Sequence, residues 1–139
     1  MGTITETDAT ASDGRVVREY ILDVRIFAVE SEGTTEFHFD APDHREMVFH
    51  DQELAELYAD VYFDVNGFEE DGTGERGIPP EIVQGGRDTM AAYLLTQYAD
   101  DDFVASFYGV TPGKVARYVE WVQTRAEEVR ENAVAEGIV

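Results

Sequence analysis

The chain of 139 residues contains no cysteine, and only one of its ten basic residues is a lysine, Lys114. Without cysteine it cannot form a disulfide, a thiolate zinc site or a thiol nucleophile. No stretch approaches the roughly 18 apolar residues of a membrane span. The first 14 residues have neither a basic start nor an apolar segment, so no secretion signal is predicted. We therefore expect a cytoplasmic protein without a membrane partner.

Acidic residues, in contrast, are abundant, and 30 Asp and Glu give a formal net charge of −20. The scarcity of lysine and the even spread of carboxylates resemble the proteins of extreme halophiles, in which molar salt screens self-repulsion. The alternative is an acidic protein of an ordinary cell, such as a decoy for a basic partner. In a halophile the acidity is background, so a local departure from it is informative.

The charge departs from this background only at the C-terminal end. Residues 1–50 carry a net charge of −7 and residues 51–110 carry −12. Residues 111–139 hold five acidic and four basic residues, which leaves −1. Because phosphate binding requires basic groups, this nearly neutral segment favours nucleic acid as a partner.

The N-terminal half has the pattern of an antiparallel β-meander. After a polar tail over 1–14, apolar residues alternate loosely over 16–29 and predict one long strand. A hairpin turn at 31–34 leads into a second strand over 35–40. A third short strand is predicted at 46–50, which gives a hairpin or three-stranded sheet.

A helix is predicted to cover this sheet over 51–67, with Asp51 as its N-cap. Its apolar positions recur at steps of three and four: Leu54, Leu57, Tyr58, Val61, Tyr62, Val65 and Phe68. The acidic loop 69–77 then separates a unit at 15–68 from a helical part at 78–139. The fold class is α+β, with two units or one compact domain.

Residues 101–120 carry the most specific pattern in the chain. Ala105 stands where two helices would cross closely, and Gly109 stands in the turn, where a positive φ is needed. Thr111 can cap the following helix, which begins at Pro112. Five further apolar residues occupy the inward positions: Val104, Tyr108, Val110, Val115 and Tyr118.

This pattern resembles the helix-turn-helix superfamily, and within it the compact form of sigma-factor region 4 and of resolvases. The resemblance covers about twenty of the 139 residues. It implies that the chain binds DNA through a recognition helix that starts at Pro112. The alternative is an ordinary helix pair, in which Gly109 is a plain C-cap.

The outward positions of that helix supply the candidate DNA contacts. Arg117 can reach a guanine edge or a phosphate, and Lys114 a phosphate. Ala116 leaves room for a base or touches a thymine methyl group. The full candidate set is Thr111, Gly113, Lys114, Ala116, Arg117 and Arg125.

The four basic residues on this helix, Lys114, Arg117, Arg125 and Arg130, have an alternative role. Carboxylates lie at helical spacing from them, so they can form ion pairs along their own helix. The acidic residues in question are Glu120, Glu127 and Glu128.

The last helix is much longer than a recognition helix needs, because no breaker follows Pro112 until Gly137. Its apolar residues recur at steps of four and three, as in a coiled coil. We predict either a homodimer through this seam or packing of the helix on the chain's own sheet. The seam consists of Val119, Val122, Ala126, Val129 and Ala133.

No catalytic, metal or cofactor motif stands out. His38, His44 and His50 match no ligand spacing, and the run 100–102 lacks the alternate oxygen ligands of a calcium loop. We therefore expect no enzyme and no cofactor. The sequence favours a dimeric DNA-binding regulator, and the alternative is a non-enzymatic protein interaction module.

Overall fold

The computed structural model of the chain describes residues 14–42, 44–68 and 78–137. The α+β class is confirmed. The described elements are β1 (Gly14–Glu19), β2 (Arg25–Ser31), β3 (Thr34–Ala41), β4 (His44–Phe49), α1 (Gln52–Asp64), α2 (Pro80–Gln84), α3 (Arg87–Tyr98), α4 (Asp101–Tyr108) and α5 (Pro112–Ala135). Residues 1–13 of the tail predicted over 1–14, and the loop 69–77, lie outside the described residues, and Gly14 is the first residue of β1.

The sheet is an antiparallel meander in the order β1-β2-β3-β4. The long strand predicted over 16–29 is in fact two strands joined by a tight turn. Leu22 and Asp23 both have φ of 62° there, and the amide of Tyr20 donates to the carbonyl of Val24 at 2.8 Å. The apolar alternation hid this turn because Leu22, although apolar, is exposed.

The other two predicted strands and the predicted helix over 51–67 correspond to β3, β4 and α1, with ends that differ by one to three residues. The turn between β2 and β3 has positive φ at Glu32 and Gly33, and the third predicted strand corresponds to β4. Asp51 caps α1 by accepting a hydrogen bond from the amide of Glu53 at 2.8 Å. Gly67, with φ of 92°, follows the end of this helix.

Helix α1 is the centre of the molecule. It contacts β3 and β4 on one side and α3 and α5 on the other. Phe39 of the sheet, Tyr58 of α1 and Val122 of α5 are all fully buried in one hydrophobic cluster. The two predicted units, 15–68 and 78–139, therefore share one core.

The long C-terminal helix buries its seam within its own chain. Val122 and Ala126 are fully buried, and α5 packs mainly on α1 and α3, with further contacts to α4. Val119 and Val129 are half-buried against the same cluster, and Ala133 is half-buried too. The predicted homodimer through this seam is therefore wrong, because its central side chains cannot reach a second copy without opening the fold.

Within the three described ranges, none of the helices combines the length and apolar composition that crossing a membrane requires.

One buried hydroxyl group gives a test of this core. The hydroxyl of Tyr20 has no hydrogen-bond partner among the described residues, and burial raises the pKa of Tyr20. We expect Tyr20→Phe to raise the free energy of unfolding by about 1 kcal/mol, because it removes a buried polar group that forms no compensating bond. Urea unfolding in molar salt measures this change.

The matched control is Tyr58→Phe, which we expect to lower stability, because the Tyr58 hydroxyl lies 2.8 Å from His44 Nε2.

The pH dependence of the free energy of unfolding gives a second check on Tyr20. A raised folded pKa contributes stability that is present below the ordinary tyrosine value of about 10 and is lost at higher pH. The loss of stability above pH 10 should be smaller in Tyr20→Phe. An equal loss in both proteins would contradict the role of Tyr20.

Candidate nucleic-acid interface

The segment 101–120 has the local geometry that its pattern predicts. Helix α4 ends at Gly109, which has φ of 67° and ψ of 35°, and the amide of Val110 donates to the carbonyl of Ala105 at 2.9 Å. The Thr111 hydroxyl then caps α5 by accepting from the amide of Lys114 at 3.2 Å.

Most inward positions of the helix pair are buried, while Tyr108 and Val110 are half-buried. Val104, Ala105, Val115 and Tyr118 are at most 5% exposed. Helix α3 contacts both α4 and α5, so the three helices form one packed unit. A plain helix pair would bury the same residues. Only the residues on the exposed face can therefore distinguish a DNA-binding helix-turn-helix from a plain helix pair.

That face is a stripe along the first two turns of α5. Thr111, Gly113, Ala116 and Arg117 are exposed on it, together with Glu120. Gly113 and Ala116 present almost no side-chain bulk, so another surface can approach the helix closely there. Arg117 has no ion-pair partner among the described residues.

Lys114 stands at the edge of this stripe and is half-buried. Its ammonium group lies 5.5 Å from the ring centroid of Tyr118 and 5.1 Å from that of Trp121. Such cation–π contacts hold the side chain while leaving its charge without a carboxylate. Lys114 is therefore positioned for an anionic partner.

A third cation, Arg87, was missed by the sequence analysis. Its guanidinium group lies 5.5 Å from the ring centroid of Tyr108, and that ring is 6.3 Å from the ring of Tyr118. Arg87 and Lys114 thus flank a pair of aromatic rings beneath the start of α5. No local pattern could reveal this, because Arg87 belongs to α3.

Arg125, a predicted DNA contact, is occupied inside the molecule. Its Nε donates to Asp64 Oδ1 at 2.7 Å and its Nη1 to Asp88 Oδ2 at 2.7 Å. The side chain of Asp64 is only 4% exposed. Hydrogen bonds to these two carboxylates raise the pKa of Arg125. We therefore remove Arg125 from the candidate set.

Arg130 is also paired within the fold. It donates to Asp60 Oδ1 at 3.0 Å, and its guanidinium group lies 5.1 Å from the ring of Tyr20 and 5.0 Å from that of Phe63. Burial raises the pKa of Asp60. Arg125 thus pairs with α1 and α3, and Arg130 pairs with α1. Neither pairs with the predicted carboxylates on its own helix, Glu120, Glu127 and Glu128.

Carboxylates border the basic region. Asp100 caps α4 by accepting from the amide of Phe103 at 3.1 Å, and Asp101 and Asp102 are exposed in its first turn. Glu120 follows on the stripe of α5. The surface that can attract an anion is therefore small and confined to the start of α5.

His38 and His44 have different hydrogen-bond partners. His38 lies between Glu36 and Glu46 on the sheet, and the buried His44 bonds through Nδ1 to the carbonyl of Phe68 at 2.7 Å. No group of three or more metal-ligating side chains occurs among the residues that the structure describes.

No family model, curated protein or solved structure matches the chain. The function therefore has to be inferred from the geometry of α3, α4 and α5 and from the charges that surround the start of α5.

Proposed function

We propose that this chain is a helix-turn-helix protein that binds DNA with the first two turns of α5. The main support for the proposal is that the four basic residues on α5 fall into two pairs with different surroundings. Arg125 and Arg130 are paired inside the fold. Lys114 and Arg117 have no ion pair with the described residues and flank an exposed surface of small side chains.

Each residue has a distinct role in this proposal. Arg117 points outward from the stripe, so it reaches a guanine edge in the major groove. Lys114 at the edge of the stripe and Arg87 against the ring of Tyr108 bind phosphates, which fix the orientation of the helix. Gly113 and Ala116 let the helix approach the bases. The amide of Gly113, in the first turn of α5, favours a phosphate as well.

The net charge of −20 opposes the approach of DNA, and its effect depends on salt. In molar salt the Debye length is about 3 Å, so repulsion from distant carboxylates is screened while direct contacts persist. We therefore propose a transcriptional regulator that works in the cytoplasm of a halophilic organism.

The first test is the selection of bound fragments from the source genome with folded protein in molar potassium chloride. We expect enrichment of sites that share a short motif. Replacing both Lys114 and Arg117 by Ala should weaken binding at least about 100-fold without unfolding the chain. The matched control is Arg15→Ala, which removes an exposed arginine on β1 and should leave DNA affinity unchanged.

The salt dependence identifies what each cation does. Each phosphate that the protein no longer binds should reduce the slope of log affinity against log salt by about 0.9. We expect this change for Lys114→Ala. For Arg117→Ala we expect reduced discrimination at one base pair. Unchanged DNA affinity in the double variant would make the recognition-helix assignment wrong.

The only tryptophan of the chain gives a direct signal from the interface. Trp121 is 44% exposed and its ring lies 5.1 Å from the ammonium group of Lys114. A phosphate that binds Lys114 draws this charge away from the ring, so Trp121 fluorescence should change on titration with DNA. Binding without a change would place the DNA elsewhere.

A protein interaction module is the second candidate function. One observation favours it: Tyr98, Phe103 and Phe107 are 59%, 43% and 59% exposed on α3 and α4. Contiguous exposed aromatic side chains mark surfaces that bind other proteins. If folded protein enriches no DNA fragment, this function becomes the better explanation of the chain.

A further inference from the structure

An exposed ridge of aromatic rings runs from the end of α3 along α4. Tyr98 and Phe103 have ring centroids 4.9 Å apart, and those of Phe103 and Phe107 are 6.4 Å apart. Phe103 and Phe107 are one turn apart and share a face of α4. We call these three residues the aromatic ridge. It is an unusual surface on a chain of net charge −20.

The aromatic ridge borders a groove of about 310 Å³. A cavity of roughly 150 Å³ is enough to hold benzene, so this groove can admit a phenyl ring. Its wall also contains Ile78, Tyr93, Leu94 and Gln97. One surface therefore carries both projecting rings and a groove that such a ring would fill.

We infer that the aromatic ridge is the interface of a homodimer. A two-fold axis places the same patch on both copies, so the patch has to be complementary to itself. Here Phe107 of each copy enters the groove of the other, and the two α4 helices run antiparallel.

The charges around α4 support a second copy as the occupant. Asp101 and Asp102 lie in the first turn of α4, next to its cap Asp100, while Arg87 lies beside Tyr108 at its end. Antiparallel helices bring the acidic end of one copy towards the basic end of the other, and they oppose the helix dipoles favourably. A parallel arrangement would instead place the carboxylates together.

The area of the aromatic ridge limits the affinity of the dimer. A stable interface buries about 800 Å² on each partner, and three partly exposed rings supply less than that. We therefore expect a dissociation constant on the order of 10–100 μM. Because each copy carries −20 charges, salt screens their repulsion and should strengthen the dimer.

The aromatic ridge uses neither Lys114 nor Arg117, so this dimer does not depend on the proposed DNA function, although Arg87 has a role in both proposals. The two processes also respond oppositely to salt. Phosphate contacts weaken as salt rises, whereas association of two acidic copies should strengthen. Failure of one can therefore be distinguished from failure of the other.

Sedimentation equilibrium of the full chain at 5–500 μM, in 0.5 M and 3 M potassium chloride, tests the proposal. We expect the mass of the wild type to rise towards that of a dimer, and more so in 3 M salt. Phe107→Ser should remain a monomer with an unchanged circular dichroism spectrum, since this side chain is 59% exposed. The control Val134→Ser removes a similarly exposed apolar side chain near the end of α5 and should dimerise like the wild type. A wild type that is monomeric at 500 μM in 3 M salt, or a dimer that persists in Phe107→Ser, would overturn the inference.

Cross-linking tests the arrangement of the two copies. The chain contains no cysteine, so any disulfide in a single-cysteine variant joins two copies. Ser106 is exposed beside Phe107 on α4. We expect Ser106→Cys to give a covalent dimer under mild oxidation and Val134→Cys to give little. Equal cross-linking of both variants would mean random collision and would contradict the proposed interface.

Discussion

Replacing Val122 by Asp is expected to unfold the chain in all salt conditions. Val122 is 0% exposed at the contact of α5 with α1 and α3. A carboxylate there would lie without a partner in the hydrophobic core. Such substitutions belong to the exceptional class that costs more than about 4–5 kcal/mol, whereas whole domains are stable by about 5–15 kcal/mol. Circular dichroism in molar potassium chloride measures the loss of helix.

The matched control is Val134→Asp, because Val134 lies on the same helix but is 57% exposed. We expect it to change stability by less than about 0.5 kcal/mol. The comparison also decides how the seam of α5 is used. If Val122→Asp gave a folded monomer, the seam would be an interface between two copies, and its burial within one chain would be refuted.

Replacing Arg125 by Met is expected to lower the free energy of unfolding by about 2–3 kcal/mol. Removing one partner of a buried ion pair costs about 3–5 kcal/mol, and the 40% exposure of Arg125 reduces this through solvent screening. The main cause is Asp64, whose carboxylate is 4% exposed and would lose its counter-charge. Urea unfolding of both proteins at the same salt concentration gives the difference.

A second substitution separates this cause from a simple loss of packing. Asp64→Asn in the Arg125→Met background removes the buried charge but keeps an acceptor for the Thr89 hydroxyl, which lies 2.7 Å from Asp64 Oδ2. We expect the double variant to regain most of the lost stability. A double variant no more stable than Arg125→Met would show that the uncompensated charge is not the cause.

These two substitutions concern the structural half of α5. Its second half is fixed to the core by Val122 and to α1 and α3 by Arg125, and this fixes where the first two turns project. Under conditions in which Arg125→Met is folded, its DNA affinity should therefore equal that of the wild type. Arg117→Ala should show the opposite behaviour, with normal stability and weakened binding.

Short-range patterns account for what could be predicted about the fold. The helix α1 follows from its apolar spacing and the Asp51 cap, and the turn between α4 and α5 follows from Gly109 and Thr111. Each depends on residues within a few positions of one another. The break at 20–24 was missed because Leu22 continued the apolar alternation while the backbone turned.

The sequence by itself determined the α+β class, the helices α1, α4 and α5, the turn at Gly109 and the outward stripe that contains Arg117. Periodicity and capping act locally, so they define which face of a helix is apolar. Only the tertiary structure decided what covers that face. It buried Val122 against α1 instead of a second chain and paired Arg125 with Asp64, which is 61 residues away in the sequence. It also brought Arg87 of α3 against the ring of Tyr108 at the end of α4. These outcomes depend on how distant segments pack. An apolar stripe requires an apolar partner and a charge requires an opposite charge, but only the tertiary structure determines which residues become those partners.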